Sequence, residues 1–493
     1  MTTKAELVSW LKTSTTRRVV LVEITGVLDS AGNSVGTIYY SNKPYGTRST
    51  DTPANTQYSA VINGGVTFSQ TLDLDGRATL GFGDIQLDNT NGVRDTLLTY
   101  IWANKAVTVY LGDAGWSRAD FYPIFTGFVS DIESRDRNTL NLILVDRLQY
   151  LNTAVSTALV GGTGSQKDQL KPLCFGECFN VTPVVVDSPN LIYQVHNGEI
   201  ERVIEVRDNG AKLTGVTTDL ANGRFTLTAS PFGQITASVQ GGKYGSPASY
   251  SSKVATVIQN LLLYYGRTLT LSDIDAASFA AYNTQDVGVY LNNRENLLDL
   301  CQRLANGCGL SLTVGVDGKF KLVRVLVDQA SGETHSVTPS DMYERTLAIS
   351  QKVPVQGSVK LSYCKNWTPQ TTGLAGALKP DVSAIFAKEN YLTASSDATV
   401  LARYNQTEEP PTKDTLLVTT AQATSEATRL LNIYKTPRYV YTATYYSHLL
   451  FCELGDQVLL TYPRFGLNNG KRGTVVQINR DWLAGKVNIG ILV

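Results

Sequence analysis

Uninterrupted apolar runs in this chain stop at strand length. Val19-Val20-Leu21-Val22 and Leu142-Ile143-Leu144-Val145 are typical. Runs of that size suit buried strands, whereas a bilayer span needs roughly 18 to 20 apolar residues. Arg18 to Ile24 (RVVLVEI) is rich in β-branched residues and ends near Gly26. Asn138 to Val145 (NTLNLILV) alternates before running on into apolar residues. Three further strands are expected at Arg224 to Thr228, Phe320 to Val325 and Thr474 to Ile478, with Gly, Asn and Asp turns between them. The 41 glycines and 25 tyrosines fit many strands joined by tight turns better than a helical bundle.

Helices are few and show a 3.6-residue period. Ser252 to Tyr265 places Val254, Val257, Ile258, Leu261, Leu262 and Tyr265 on one stripe, with Gly266 as its stop. Glu295 to Ala305 aligns Leu297, Leu298, Cys301 and Leu304 between Asn293 and Gly307. Thr420 to Tyr434 carries a third stripe, ended by Pro437. A short helix is expected around Leu7 to Leu11, and another after Asp95.

A chain of 493 residues suggests roughly two to four domains. Linker-like stretches at Val160 to Gln166 and at GGKYGSPASYSS (241–252) suggest four blocks. These are a β-rich domain over 1–160, a second β module over 161–250, a helix–helix–hairpin module over 251–345, and a β domain with one helix over 346–493. The hairpin is expected to turn at Asp317-Gly318. The fold class is thus mainly β with α+β inserts, in a multidomain chain.

Composition excludes some functions. Apolar residues make up 42% and charged residues 17%, enough to bury a large core. Lys plus Arg equals Asp plus Glu at 43 each, without the basic excess expected of a nucleic-acid binder. The N-terminus lacks the pattern of a secretory signal, so the chain is read as soluble, made in a cytoplasm and without a transmembrane segment. Its six cysteines, at 174, 178, 301, 308, 364 and 452, are then expected reduced and buried.

The stretch KPLCFGECFNVTP (171–183) places Cys174 and Cys178 at a spacing that supplies half a zinc site. Cys301 and Cys308 could complete it only by meeting the pair in space, yet Cys301 lies on the apolar stripe of its helix. The stretch is read as a Gly-containing turn between Pro172 and Pro183 with packing cysteines, and no stoichiometric zinc or iron is expected. His196, His335 and His448 stand in no metal or catalytic motif. No nucleophile elbow, P-loop or dinucleotide fingerprint occurs. The acidic turns Asp73-Leu-Asp75-Gly76 and Asp88 to Asp95 resemble calcium loops but lack the closing Glu, which favours ordinary Asx turns. The run Arg438 to Tyr446 (RYVYTATYY) could stack sugars or bases, and is read as a strand pairing its aromatics with neighbours or a subunit. No catalytic, cofactor or metal residue is assigned.

Several phrases follow one another as in tail-tip and baseplate proteins of tailed bacteriophages. They are YSNKPYGT and DTPANTQY (40–58), LDNTNGVRDTLLTYIW (87–102), DFYPIFTGFVSDI (120–132) and LILVDRLQYLN (142–152). The segments 171–214 and 453–493 resemble the same family, and 293–325 is similar to an insert in tail hub proteins. The resemblance implies tube-like β-barrel domains at both ends of the chain. It also implies a structural, non-enzymatic hub at the distal tail of the virion. The implied partners are the chain itself, as a homotrimer or a hexameric ring, together with a tube or distal tail protein, fibres and a central spike. A tail-borne peptidoglycan or polysaccharide hydrolase, a glycan-binding module and a distal-tail adaptor ring are the competing readings.

Overall fold

Most of the apolar runs become strands of one sheet. The computed structural model describes residues 3–13, 17–74 and 81–493. The chain divides into two compact units, each drawn from separated stretches. The first unit comprises 1–150, 311–353 and 437–493, and the second 151–310 and 354–436. Proline opens the new stretch at two crossings, Pro354 and Pro437, where its missing N–H ends a ladder or helix. The four consecutive blocks read from the sequence are therefore not the compact units. The helix–helix–hairpin module is split, its helices lying in the second unit and its hairpin in the first.

The first unit is built on a 15-stranded sheet. Its amino-terminal part contains Arg18–Thr25, Ile62–Thr71, Phe82–Asp88, Lys105–Asp113, Tyr122–Asp136 and Thr139–Asp146. The carboxy-terminal part contributes Arg438–Tyr446, Lys471–Asp481 and Lys486–Leu492. The two parts are joined antiparallel where Lys471–Asp481 meets Ile62–Thr71, with Gln477 opposite Thr71 and Asp481 opposite Thr67. Barrels at the two ends are thus not separate closed bodies among the described residues; their strands run together. The path has two ends, Ala348–Val353 and Tyr45–Gly46.

Burial explains why the β-branched runs do not alternate strictly. Val19, Val20, Leu21, Val22 and Ile24 are all buried, as is most of Thr139–Asp146. Both faces of these strands are covered, which is where continuous apolar runs occur. Val19 and Leu21 pack with Tyr45, Tyr58 and Phe121 in one aromatic cluster. Arg480 is buried in the same unit and fully engaged. It donates from Nε to the Leu450 carbonyl, from Nη1 to Gln70 Oε1 and from Nη2 to the Cys452 carbonyl. The expected hairpin forms between Ser311–Val314 and Phe320–Val323, with Gly318 at φ +77°.

The second unit has a six-stranded sheet centred on Leu173–Val181 and Ile235–Tyr244, and smaller four- and three-stranded sheets. Its helices Val254–Tyr265, Leu297–Gly307 and Thr420–Tyr434 occupy the expected stretches. The middle one is capped by Asn296, whose side chain accepts from the Leu298 and Asp299 N–H groups. Among the described residues no helix is long and apolar enough to cross a membrane.

Candidate functional site

The strand Leu173–Val181 carries the paired cysteines into the core of the second unit. It pairs with Ile235–Tyr244 on one side and Gly288–Leu291 on the other. The stretch is therefore a strand and not the expected turn. Its glycine has a different duty: Gly176 sits at φ +66°, and a Cβ there would lie 1.8 Å from the Val287 carbonyl oxygen. Only glycine lets the two backbones approach so closely.

Both thiols are buried among Val181, Tyr193, Val239 and Tyr290. Burial, reinforced by the adjacent Cys174 thiol, pushes the Cys178 thiol far up. Burial also raises Cys301. Thiols held protonated this way are inert small hydrophobes. Among the described residues, Cys174, Cys178, Cys301 and Cys308 do not assemble into a group of three or more ligand atoms.

His196 belongs to the same core. Its Nδ1 accepts from the Cys174 backbone N–H at 2.9 Å. Protonating that nitrogen would set two donors face to face in a desolvated site, and burial pulls the imidazole down to about 4. His196 is a structural acceptor, unsuited to act as a base at neutral pH. Beside this core lies a cavity of about 290 Å³, lined by Glu177, Ser238, Cys364, Trp367 and Leu417 among others. Glu177 accepts from Gln240 Nε2 at 2.8 Å, and Lys365 Nζ lies 4.8 Å from the Trp367 ring centre. Among the described residues, no histidine lines this cavity.

The acidic turn at Asp88 to Asp95 satisfies itself. Asp88 Oδ1 accepts from the Thr90 hydroxyl at 2.6 Å, and Asn89 bridges the Arg94 N–H and Asp95. Arg94 Nη1 donates to the Asp88 carbonyl at 2.6 Å, placing a guanidinium where a cation would sit. Asn91 and Gly92 take φ +59° and +71°, as an Asx-rich turn requires. In the other acidic turn, Asp75 and Gly76 lie outside the described residues. The tyrosine run is the strand Arg438–Tyr446, paired with Ala348–Val353 and Lys486–Leu492. Tyr441 and Tyr445 are buried, and Tyr446 packs on Tyr343 with ring centres 4.6 Å apart.

One convergence had no signal in the sequence. In the first unit, His335, Cys452 and Asp456 bring one ligand atom each within 4.8 Å of one another. His335 opens the strand His335–Val337, which runs parallel to Gln457–Leu460 with His335 opposite Val458. That ladder joins residues more than a hundred positions apart, a distance over which spacing motifs are silent.

No family model and no curated protein matches the chain. Among solved structures it is similar to a tail protein from Neisseria meningitidis, with 10% identity, 89% of this chain and 93% of that chain covered, and a TM-score of 0.41. A 43 kDa tail protein of a Shewanella oneidensis prophage gives 12% identity, coverage of 97% and 98%, and a TM-score of 0.39. A prophage tail protein from Listeria monocytogenes gives 10% identity, coverage of 96% and 94%, and a TM-score of 0.41.

Proposed function

We propose that this chain is a structural component of a bacteriophage tail tip or baseplate, acting as a hub between the tail tube and the distal tail, fibres or spike. The observation that carries this reading is the fusion of amino- and carboxy-terminal β regions into one 15-stranded sheet. With two such end regions in each chain, three copies would present six of them, matching a three-fold hub to a six-fold tube. The ordered tail-protein-like phrases along the sequence support the same reading. At one end of the sheet the strand Ala348–Val353 has a single partner strand among the described residues, and five of its six residues are exposed. Such an edge suits pairing or packing between copies. The role is non-enzymatic and the chain resides in the virion.

Two measurements test this. Size-exclusion chromatography with light scattering is expected to give about three times the 53.6 kDa chain mass. Mass spectrometry and labelled cryo-EM of purified virions are expected to place the chain at the tail end opposite the head. Its absence from virions, or sugar release from peptidoglycan by the purified chain, would overturn the reading.

A further inference from the structure

We propose that His335, Cys452 and Asp456 form a binding site for a divalent transition metal of the zinc class. The three side chains supply a nitrogen, a sulfur and a carboxylate oxygen, all within 4.8 Å of one another. His335 Nε2 lies 3.2 Å from Asp456 Oδ2. Bonds of about 2.0–2.3 Å in a tetrahedral site set ligand–ligand edges of about 3.3–3.8 Å, so the donors need only small shifts to surround an ion. This set of imidazole, thiolate and carboxylate suits zinc over calcium or magnesium, which take oxygen ligands.

The scaffold holds these donors from both sides. Cys452 precedes and Asp456 closes the turn Glu453-Leu-Gly-Asp456, in which the Glu453 N–H donates to Asp456 Oδ2 at 2.8 Å. Gly455 takes φ +86° at that turn. His335 is fixed by the parallel ladder to Gln457–Leu460. Beneath the thiol, Arg480 Nη2 donates to the Cys452 carbonyl at 2.6 Å, and its guanidinium offsets part of the negative charge that a thiolate and a carboxylate bring together. Cys452 is buried, whereas the His335 and Asp456 side chains are 27% and 24% exposed. An ion therefore enters from the His335–Asp456 side, where water completes its coordination. Binding replaces the Cys452 S–H bond with an S–metal bond and releases one proton to solvent.

The test uses the full chain stripped with a chelator and titrated with Co²⁺. The expected result is one ion per chain and a near-ultraviolet thiolate-to-cobalt band that Zn²⁺ abolishes. C452S should lose the band, C364S should keep it, and H335Q and D456N should each weaken Co²⁺ binding at least tenfold. X-ray absorption of the zinc-loaded native chain is a second readout that needs no variant. It should show one sulfur at about 2.3 Å among nitrogen and oxygen neighbours at about 2.0–2.1 Å. No thiolate band, a band that survives C452S, or a zinc shell with no sulfur or several would overturn the assignment.

Discussion

Two buried groups tie the stability of the protein to pH with opposite signs. Asp146, in the first unit, accepts from the Gly81 N–H at 2.8 Å and the Leu148 N–H at 2.9 Å. Burial nonetheless lifts its carboxyl to about 7. A folded value above the unfolded 3.8 means the native state holds the proton more tightly. This contribution is complete below 3.8 and fades as pH rises through 7, amounting to roughly 4 kcal/mol. The D146N variant should lose that slope, so protection of first-unit amides from hydrogen exchange should no longer fall between about pH 4 and 7. His196 acts oppositely in the second unit. Its folded value of about 4 lies below the usual 6.5, so its contribution is present above 6.5 and is lost as pH falls through 4. The loss is roughly 3 kcal/mol. Second-unit amides should lose protection on acidification towards pH 4, and H196Q should flatten that response. A first unit that gains protection with rising pH, or a second unit indifferent to acid, would refute the respective assignment.

At the level of elements, the cost of replacing a glycine depends on what surrounds it. Gly176 combines φ +66° with a carbonyl oxygen 1.8 Å from any Cβ, while Gly161 has φ +75° and nothing within 4 Å. G161A should cost about 1 kcal/mol, the strain of a left-handed residue alone. G176A must also push apart the pairing of Leu173–Val181 with Gly288–Leu291, and should cost well over 2 kcal/mol. Urea midpoints of the two variants check the ranking. The strands expected from Arg18, Asn138 and Thr474 and the three long helices are legible in the sequence, because apolar period and caps are local signals. KPLCFGECFNVTP reads wrongly as a turn, because a glycine serving close backbone approach looks the same in sequence as one serving a reversal. The His335–Cys452–Asp456 convergence was illegible for a different reason. It depends on a parallel ladder between distant segments, and register across such a separation leaves no local trace.

Across the whole molecule, the chain order conceals which stretches fold together. The first block, 1–160, looks self-sufficient in sequence, yet Ile62–Thr71 pairs on one side with Phe82–Asp88 and on the other with Lys471–Asp481. Gln70 Nε2 also donates to the Val314 carbonyl at 3.0 Å, and Gln70 Oε1 accepts from Arg480. A fragment of 1–160 would leave Thr67 to Thr71 as an open edge, with Phe68 and Gln70 stripped of Arg480 and Ile478 opposite them, and should aggregate. The second unit is the opposite case. It consists of 151–310 and 354–436, and the 43 residues between them belong to the first unit. Its six-stranded sheet, its cysteine core and its three long helices all lie within those two stretches. Replacing 311–353 with a flexible Gly/Ser linker in a fragment of 151–436 should therefore give a soluble species with one cooperative urea transition. The added loop-closure cost grows only slowly with linker length, by about 0.6 kcal/mol per doubling. If 1–160 folds cooperatively alone while the linked 151–436 fragment does not, the two-unit organisation is wrong and the chain folds in successive blocks.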